Sequence, residues 1–402
     1  MIAVLITVRP SVGEPTVTPA RQKHPLTVQR RAAIVAGIAV IGYVAWLSVQ
    51  APSAPVLALL ALWGLGIALV FYGFVSAVAL RDWLKRLAHS LRVGWREWTL
   101  LAGLLGIALI VRGVGLDTFP AVMVDDEGYY ANAAAQHYMP VSFPDYYLNS
   151  TSIRPEWNWN PFGYEWGPTI DLISVPQAVS IALSGNTLGA VRWPSAILGA
   201  LTIPAVYLLA RRLFDRRVAL LAAVFLMLLP VHIQFSRLAL NQVMDPLFGA
   251  LLFAFLVQAL RTGDKVEYGL TGVMLGFSQY GATPARMLPF LILVVVGWFY
   301  LNHRDRLREH LPLLVTPCTI GLVMVLPQLY FLVSNQLAVV PRLGQIGFWH
   351  FLPQDGSVGH FLYGQVRNSF LAYAQVPDHG VFYGYYDPLL GWIAPILLFI
   401  GL

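Results

Sequence analysis

Apolar runs of membrane-crossing length recur along this chain near 32–50, 56–79, 98–116, 192–210, 217–235, 243–260, 267–281, 284–301, 311–333 and 389–402. Each is long enough to cross about 30 Å of hydrocarbon as a helix, or to do so with a kink. The pattern predicts an all-α, polytopic membrane protein with about ten transmembrane helices. The run at 267–281 is short and glycine-rich, and the last run is still apolar at Leu402, so the native polypeptide is expected to continue.

Between these runs the polar positions are sorted by charge. With the N terminus inside, nineteen of the 26 Lys and Arg residues fall in the N-terminal tail and in four connections, RDWLKRLAHSLRVGWRE, RRLFDRR, RTGDKVE and NHRDRLREH. The other seven are all arginine, at 112, 154, 192, 237, 286, 342 and 367, at or beyond the outer helix ends. The excess of cations on one side is the usual mark of the cytoplasmic face. This topology predicts a multi-pass plasma-membrane protein with its N terminus in the cytoplasm and two long external segments, 117–191 and 334–388.

The organisation then reads as a tail over 1–31, two N-terminal helices with a basic loop over 32–97, a transmembrane core over 98–333, the second external segment, and a last helix over 389–402. A signal peptide is the competing reading of the first run. It lacks a small-residue cleavage site and is followed at once by a second span, which favours a retained helix.

Composition agrees. The 402 residues are 57% hydrophobic and 11% charged, with a mean hydropathy of +0.64, where a soluble domain is about a quarter charged. The single cysteine, Cys318, excludes an intramolecular disulfide or a cysteine metal cluster. A net charge of +6 and a pI near 9.4 are explained by the topology blocks, so no nucleic-acid partner is expected.

Candidate chemistry lies outside. Asp125, Asp126 and Glu127 stand together about nine residues past the end of the third run. Adjacent carboxylates repel one another, so they add little stability unless they handle a cation or a proton. The outer side also holds the aromatic stretch EWNWNPFGYEW, which includes Glu165 and Trp166. Such rings either anchor helices at headgroup level or stack on a sugar. An N-glycosylation sequon begins at Asn149.

Arg192, Arg237 and Arg286 mark outer helix boundaries. Guanidinium suits bidentate phosphate contact, although snorkelling is the ordinary fate of such residues. Arg192, just before Trp193-Pro194-Ser195, is expected at a helix N-terminus that also favours an anion. Asp245 opens the sixth run, either as an N-cap or as a second acid converging on the cluster. His232 is read as hydrogen-bonded structure.

The motif DDEGYYA, with Tyr130 and Ala131 closing it, resembles the first external loop of GT-C glycosyltransferases. The resemblance is to the protein O-mannosyltransferase (dolichyl-phosphate-mannose-protein mannosyltransferase-like) and lipid A aminoarabinose transferase group. It continues through VRWPSAILGALTIPAVYLLARRLFDRRVALLAA, FSRLALNQVMDPLFGALLFAFLVQAL and GLTGVMLGFSQYGATPARMLPF, covering roughly residues 98–302. The resemblance implies Asp126 as catalytic acid, Glu127 as its partner, Arg192 at the donor phosphate and Asp245 as the later acid. Asp125 stands beside the catalytic pair, Arg237 and Arg286 are further candidates for the phosphate, and Tyr130, Glu165 and Trp166 for sugar or acceptor.

Two departures stand out. A Lys-Pro-Pro segment of the aminoarabinose group is replaced here by Tyr164-Glu165-Trp166-Gly167-Pro168, without the lysine, and the two helices before residue 98 are additional.

The implied activity is transfer of a sugar from a polyprenyl-phosphate donor in the bilayer to a protein hydroxyl, a glycolipid or a cell-envelope glycan on the outer face. It would proceed by inverting direct displacement. No cofactor is required for it, and a divalent metal at the acidic cluster stays open. The alternatives are a transporter or lipid flippase, expected to carry repeats and buried mid-helix charges that are not evident here, and a structural membrane protein whose charges only anchor helices.

Overall fold

A computed structural model describes residues 27–50, 55–121, 125–134, 172–334 and 357–371. Glu165, Trp166, the sequon at Asn149 and the run at 389–402 lie outside the described residues. Among the described residues all regular structure is helical.

In chain order the helices are α1 (Val28–Gln50), α2 (Val56–Phe74), α3 (Ala77–Val93), α4 (Trp95–Gly113), α5 (Asp125–Ala133), α6 (Ser174–Ser184) and α7 (Leu188–Leu213). They continue as α8 (Arg216–Leu228), α9 (Pro230–Ser236), α10 (Met244–Thr262), α11 (Lys265–Ser278), α12 (Leu288–Asn302), α13 (Arg304–Ser334) and α14 (Val358–Leu371).

Six helices among the described residues are long and apolar enough to cross a membrane, or up to eight if each of two bent pairs counts as one span. The expected ten is therefore not reached there, for identifiable reasons. The run at 217–235 is bent by 61° where Pro230 interrupts α8 and α9, because proline cannot supply the N–H that a continuous helix needs. The run at 267–281 forms only the 14-residue α11. The basic loop before residue 98 is not a loop: it folds as α3, turned 87° from α4.

Helix α7 is the centre, packing on α4, α6, α8 and α10. Its small buried residues Ala196, Ala200 and Ala205 let neighbours approach, which is how helices associate where lipid removes the hydrophobic drive between them. One core joins Leu101, Leu104 and Ala108 of α4 to Ile203 and Tyr207 of α7 and to Ala219 and Ala223 of α8. A second core joins Ile41 and Val44 of α1 to Trp63 and Val70 of α2 and to Ile320 and Met324 of α13.

Helices α1 and α2 touch backbone to backbone: a methyl group added at Gly37 would stand 2.6 Å from the Gly66 carbonyl oxygen. The indole N–H of Trp63 (3.0 Å) and the hydroxyl of Tyr280 (2.7 Å) both donate to the Met324 carbonyl, tying α2 and the end of α11 to α13. Helix α12 buries nothing and exposes Phe290, Leu291, Leu293 and Val294, the inverse of a water-soluble surface.

The basic connections gather at one end of this bundle. Arg212 pairs with Glu267 at 3.1 Å, Arg211 and Arg216 each approach Glu97 at 3.6 Å, and Arg86 pairs with Asp264. The acidic motif lies at the other end of α4 and α7.

Candidate functional site

The short helix α5 begins at Asp125 and carries the whole acidic motif. Successive helical positions are about 100° apart, so neighbouring acids face different surroundings. Asp126 is exposed, while Glu127 is fully buried. The side chain of Asp125 lies outside the described residues.

The Glu127 carboxylate is gripped from two sides. Arg192 donates to it through Nε, 2.8 Å from Oε1, and through Nη2, 2.9 Å from Oε2; the backbone N–H of Ala239 adds a third bond of 2.8 Å to Oε1. Neither side chain of the pair has any exposure. The remaining arm of Arg192, Nη1, donates to the carbonyls of Leu116 (3.0 Å) and Pro120 (2.7 Å). One guanidinium thus fastens α7 to α5 and to the segment leading into it, a task for which a rigid five-donor fork is suited and a single ammonium is not.

This arrangement differs from the two readings of Arg192 that stood at the sequence level. Snorkelling is excluded, since the side chain reaches no solvent. The helix N-terminus is four residues earlier, at Leu188, so the dipole argument does not apply to Arg192. That N-terminus already has its anion: Asp117 accepts from the Gly189 N–H at 2.7 Å, and Thr187 caps Ala190 at 3.1 Å. A side chain at Gly189 would collide with Asp117, its Cβ 2.7 Å from Oδ2. Four donor contacts to protein atoms leave Arg192 poorly placed to seize a phosphate directly.

Arg237 is similarly committed. It donates to the carbonyls of Val111 (3.0 Å), Arg112 (3.1 Å), Val114 (2.8 Å) and Phe119 (2.9 Å), and lies over the Phe119 ring. Val111 and Arg112 are among the carbonyls that a helix end leaves without partners, so Arg237 caps α4, and its bonds to Val114 and Phe119 hold the segment that follows. Arg112 does the same for α8, bonding the Met227 carbonyl at 3.4 Å and His232 Nδ1 at 2.9 Å.

Asp245 is not an N-cap. It lies inside the first turn of α10 and accepts from the Ala282 N–H at 2.9 Å, bridging α10 to the turn Thr283–Met287. That turn carries Arg286, half-buried and in electrostatic contact with Asp245.

Tyr130 joins the two groups, packing from α5 against Ile173, Val243 and Met244. The structure therefore brings Asp126, Glu127, Tyr130, Arg192, Arg237, Asp245 and Arg286 to one end of the bundle. Among the described residues no three His, Cys, Asp or Glu side chains converge as a metal-ligand set.

Sequence reasoning did not find Asp117, Ala239 or Gln177. The last is fully buried, donating its amide to the Ala239 carbonyl at 3.2 Å. Asp117 and Gly189 are 72 positions apart and Gln177 and Ala239 are 62 apart, so no local pattern could have signalled either contact.

No curated protein matches the chain. A stretch that contains Arg192, Arg237, Asp245 and Arg286 matches a protein-family model, and the acidic helix lies just N-terminal to it, joined to it by the bonds of Glu127 to Arg192 and Ala239. The stretch is residues 172–331, the family is dolichyl-phosphate-mannose-protein mannosyltransferase, and the match supports a resemblance to membrane glycosyltransferases of the GT-C type.

Proposed function

We propose that the protein moves a sugar from a polyprenyl-phosphate donor to an acceptor hydroxyl at the outer membrane face, by a single inverting displacement. The observation that carries this reading is the unequal treatment of two adjacent acids: Glu127 is locked into a buried ion pair while Asp126, one residue earlier, is exposed. A proton acceptor must reach its substrate, and a positioning group need not.

In this reading Asp126 takes the proton of the acceptor hydroxyl as its oxygen attacks C1 of the sugar. Glu127 and Arg192 are positioning residues that hold α5 against α7, so that Asp126 presents a fixed approach. As the C1–O bond breaks, charge develops on the departing lipid phosphate, and a cation aimed there lowers the barrier. Arg286 retains surface to offer and lies beside the second acid, Asp245; it is the candidate for that contact. A lipid donor stays in the bilayer, so its phosphate arrives at the level of these helix ends.

The acceptor classes are a protein hydroxyl, a glycolipid or a cell-envelope glycan. The test is purified protein with labelled polyprenyl-phosphate sugars. Transfer of label with release of polyprenyl phosphate is expected, and Asp126→Asn should lower it by about 10² to 10⁴ with folding unchanged. Full activity in that variant removes the assignment of the base, and movement of intact lipid across the bilayer without release would favour a flippase.

A further inference from the structure

The helix α3 lies at the far end of α4 from the acidic motif, and its sequence AVALRDWLKRLAHSLRV has two faces. At about 100° per residue, Leu80, Trp83, Leu84, Leu87 and Leu91 form one stripe. Arg81, Lys85, His89 and Arg92 form the opposite arc, on which Asp82 is the one acid. Nothing in α3 is buried: Leu84 is 50% exposed and Leu91 42%. Leu80, Trp83 and Leu87 are half-buried, so the stripe is left partly open, a liability in water.

Two contacts fix how the helix lies. The Trp83 indole donates to Glu267 at 2.9 Å, and Arg86 pairs with Asp264, both at the start of α11. Ser76 caps the first turn by accepting from the Ala79 N–H at 3.2 Å. With an 87° turn between α3 and α4, an α4 upright in the bilayer is preceded by a helix lying across its end.

We infer that α3 is an in-plane helix that seats its leucine stripe in the acyl boundary and binds anionic lipid headgroups through Arg81, Lys85 and Arg92. Charge complementarity selects this occupant. The stripe is apolar and the arc beside it is cationic, the arrangement that attracts negative headgroups at a membrane surface. This surface is independent of the proposed transferase chemistry and lies outside the stretch that matches the mannosyltransferase family.

The test uses the full chain equilibrated with equimolar phosphatidylcholine and phosphatidylglycerol, reading co-retained lipid by mass spectrometry. Phosphatidylglycerol should be enriched over its bulk share, and the variant Arg81→Gln/Lys85→Gln/Arg92→Gln should lose about half or more of that enrichment. The Trp83 and Arg86 contacts remain intact in that variant, so its fold is retained. No enrichment, or enrichment equal in both proteins, overturns the headgroup assignment.

In a Cys318→Ser background, a spin label at Leu84→Cys should be reached by oxygen in preference to a water-soluble nickel complex, and a label at Lys85→Cys the reverse. Equal nickel access at both positions overturns the in-plane placement. Dipolar coupling between Leu84→Cys labels on two copies would assign the stripe to a protein interface instead.

Discussion

Removing the guanidinium of Arg192 tests the core of the site most directly. Arg192→Met leaves the Glu127 carboxylate fully buried without its cation, keeping the Ala239 N–H, and takes the Arg192 bonds from the Leu116 and Pro120 carbonyls. Breaking a buried pair by deleting one member costs about 3 to 5 kcal/mol, most of it the burden of an uncompensated buried charge. Glu127→Leu should cost a similar amount, because it leaves a buried cation. The double variant Glu127→Leu/Arg192→Met removes both charges and leaves only unpaired backbone groups, so it should cost clearly less than the two single changes added together. The coupling in this cycle is therefore expected to be at least about 2 kcal/mol.

Unfolding of the full chain in lipid nanodiscs, followed for all four proteins, measures it. Additive single effects, or an Arg192→Met protein within about 0.5 kcal/mol of the parent, would refute the account of the pair as what fastens α5 to α7. Arg192→Lys adds the kinetic side. An ammonium cannot contact both carboxylate oxygens and both carbonyls, so kcat/KM for the donor should fall at least about tenfold together with stability. A rise in donor KM without any loss of stability would return Arg192 to direct phosphate contact.

Three further outcomes follow from the same geometry. Asp125→Asn should reduce transfer less than Asp126→Asn in the labelled-donor assay; equal losses would shift the catalytic register by one residue. In intact cells, a cysteine replacing Ser357 should react with an impermeant maleimide and one replacing Ser90, on α3, should not; the opposite pattern would put the acidic end in the cytoplasm and favour a nucleotide-sugar donor. Asp215 accepts from the Arg217 and Val218 N–H groups at 2.8 and 2.9 Å at the start of α8, and chiefly the Val218 bond holds its carboxyl below the usual range. Its stabilisation is present above the unfolded value of about 3.9 and is lost as pH falls through the lower native value, so Asp215→Ala should lower the Tm at pH 7 and cease to do so in strong acid.

The spans were legible because hydrocarbon imposes length and polarity on a helix without help from tertiary structure, and α1, α2, α7, α10, α12 and α13 all fall where the apolar runs predict them. The α3 region reads as a basic loop while its cations are taken as topology signals, because the same residues also carry the 3.6-residue period of an amphipathic helix. Leucine at 80, 84, 87 and 91 was in the sequence all along. The roles of the arginines were illegible for another reason. Arginine at the boundary of an apolar run is compatible with snorkelling, phosphate contact or capping, and only the partner decides among them. Those partners, Glu127 at 65 positions from Arg192 and the α4 carbonyls of Val111 and Arg112 at 126 and 125 positions from Arg237, belong to other helices.

This dependence on partners changes how loss-of-function data at the site should be weighed. Every arginine that borders the acidic end from α4, α7 or α9 is spent on closing a helix or a buried carboxylate, and each such bond converts a bend or a chain break into a fixed position. Activity would vanish on removing Glu127, Arg192 or Arg237 whether or not they meet a substrate, because their bonds hold α5 and the segment before it in place, beside the packing of Tyr130 in the cluster around Val243 and of Ala131 and Ala134 on α6 and α7. Exposure separates the classes better than activity does. Asp126 on α5, which is exposed, and Arg286 ahead of α12, which like Asp245 is half-buried, are the two groups that the proposed reaction uses and that keep surface at this end. A substitution at either that silences transfer while leaving unfolding unchanged carries weight as chemistry, and the same silence at Glu127 does not.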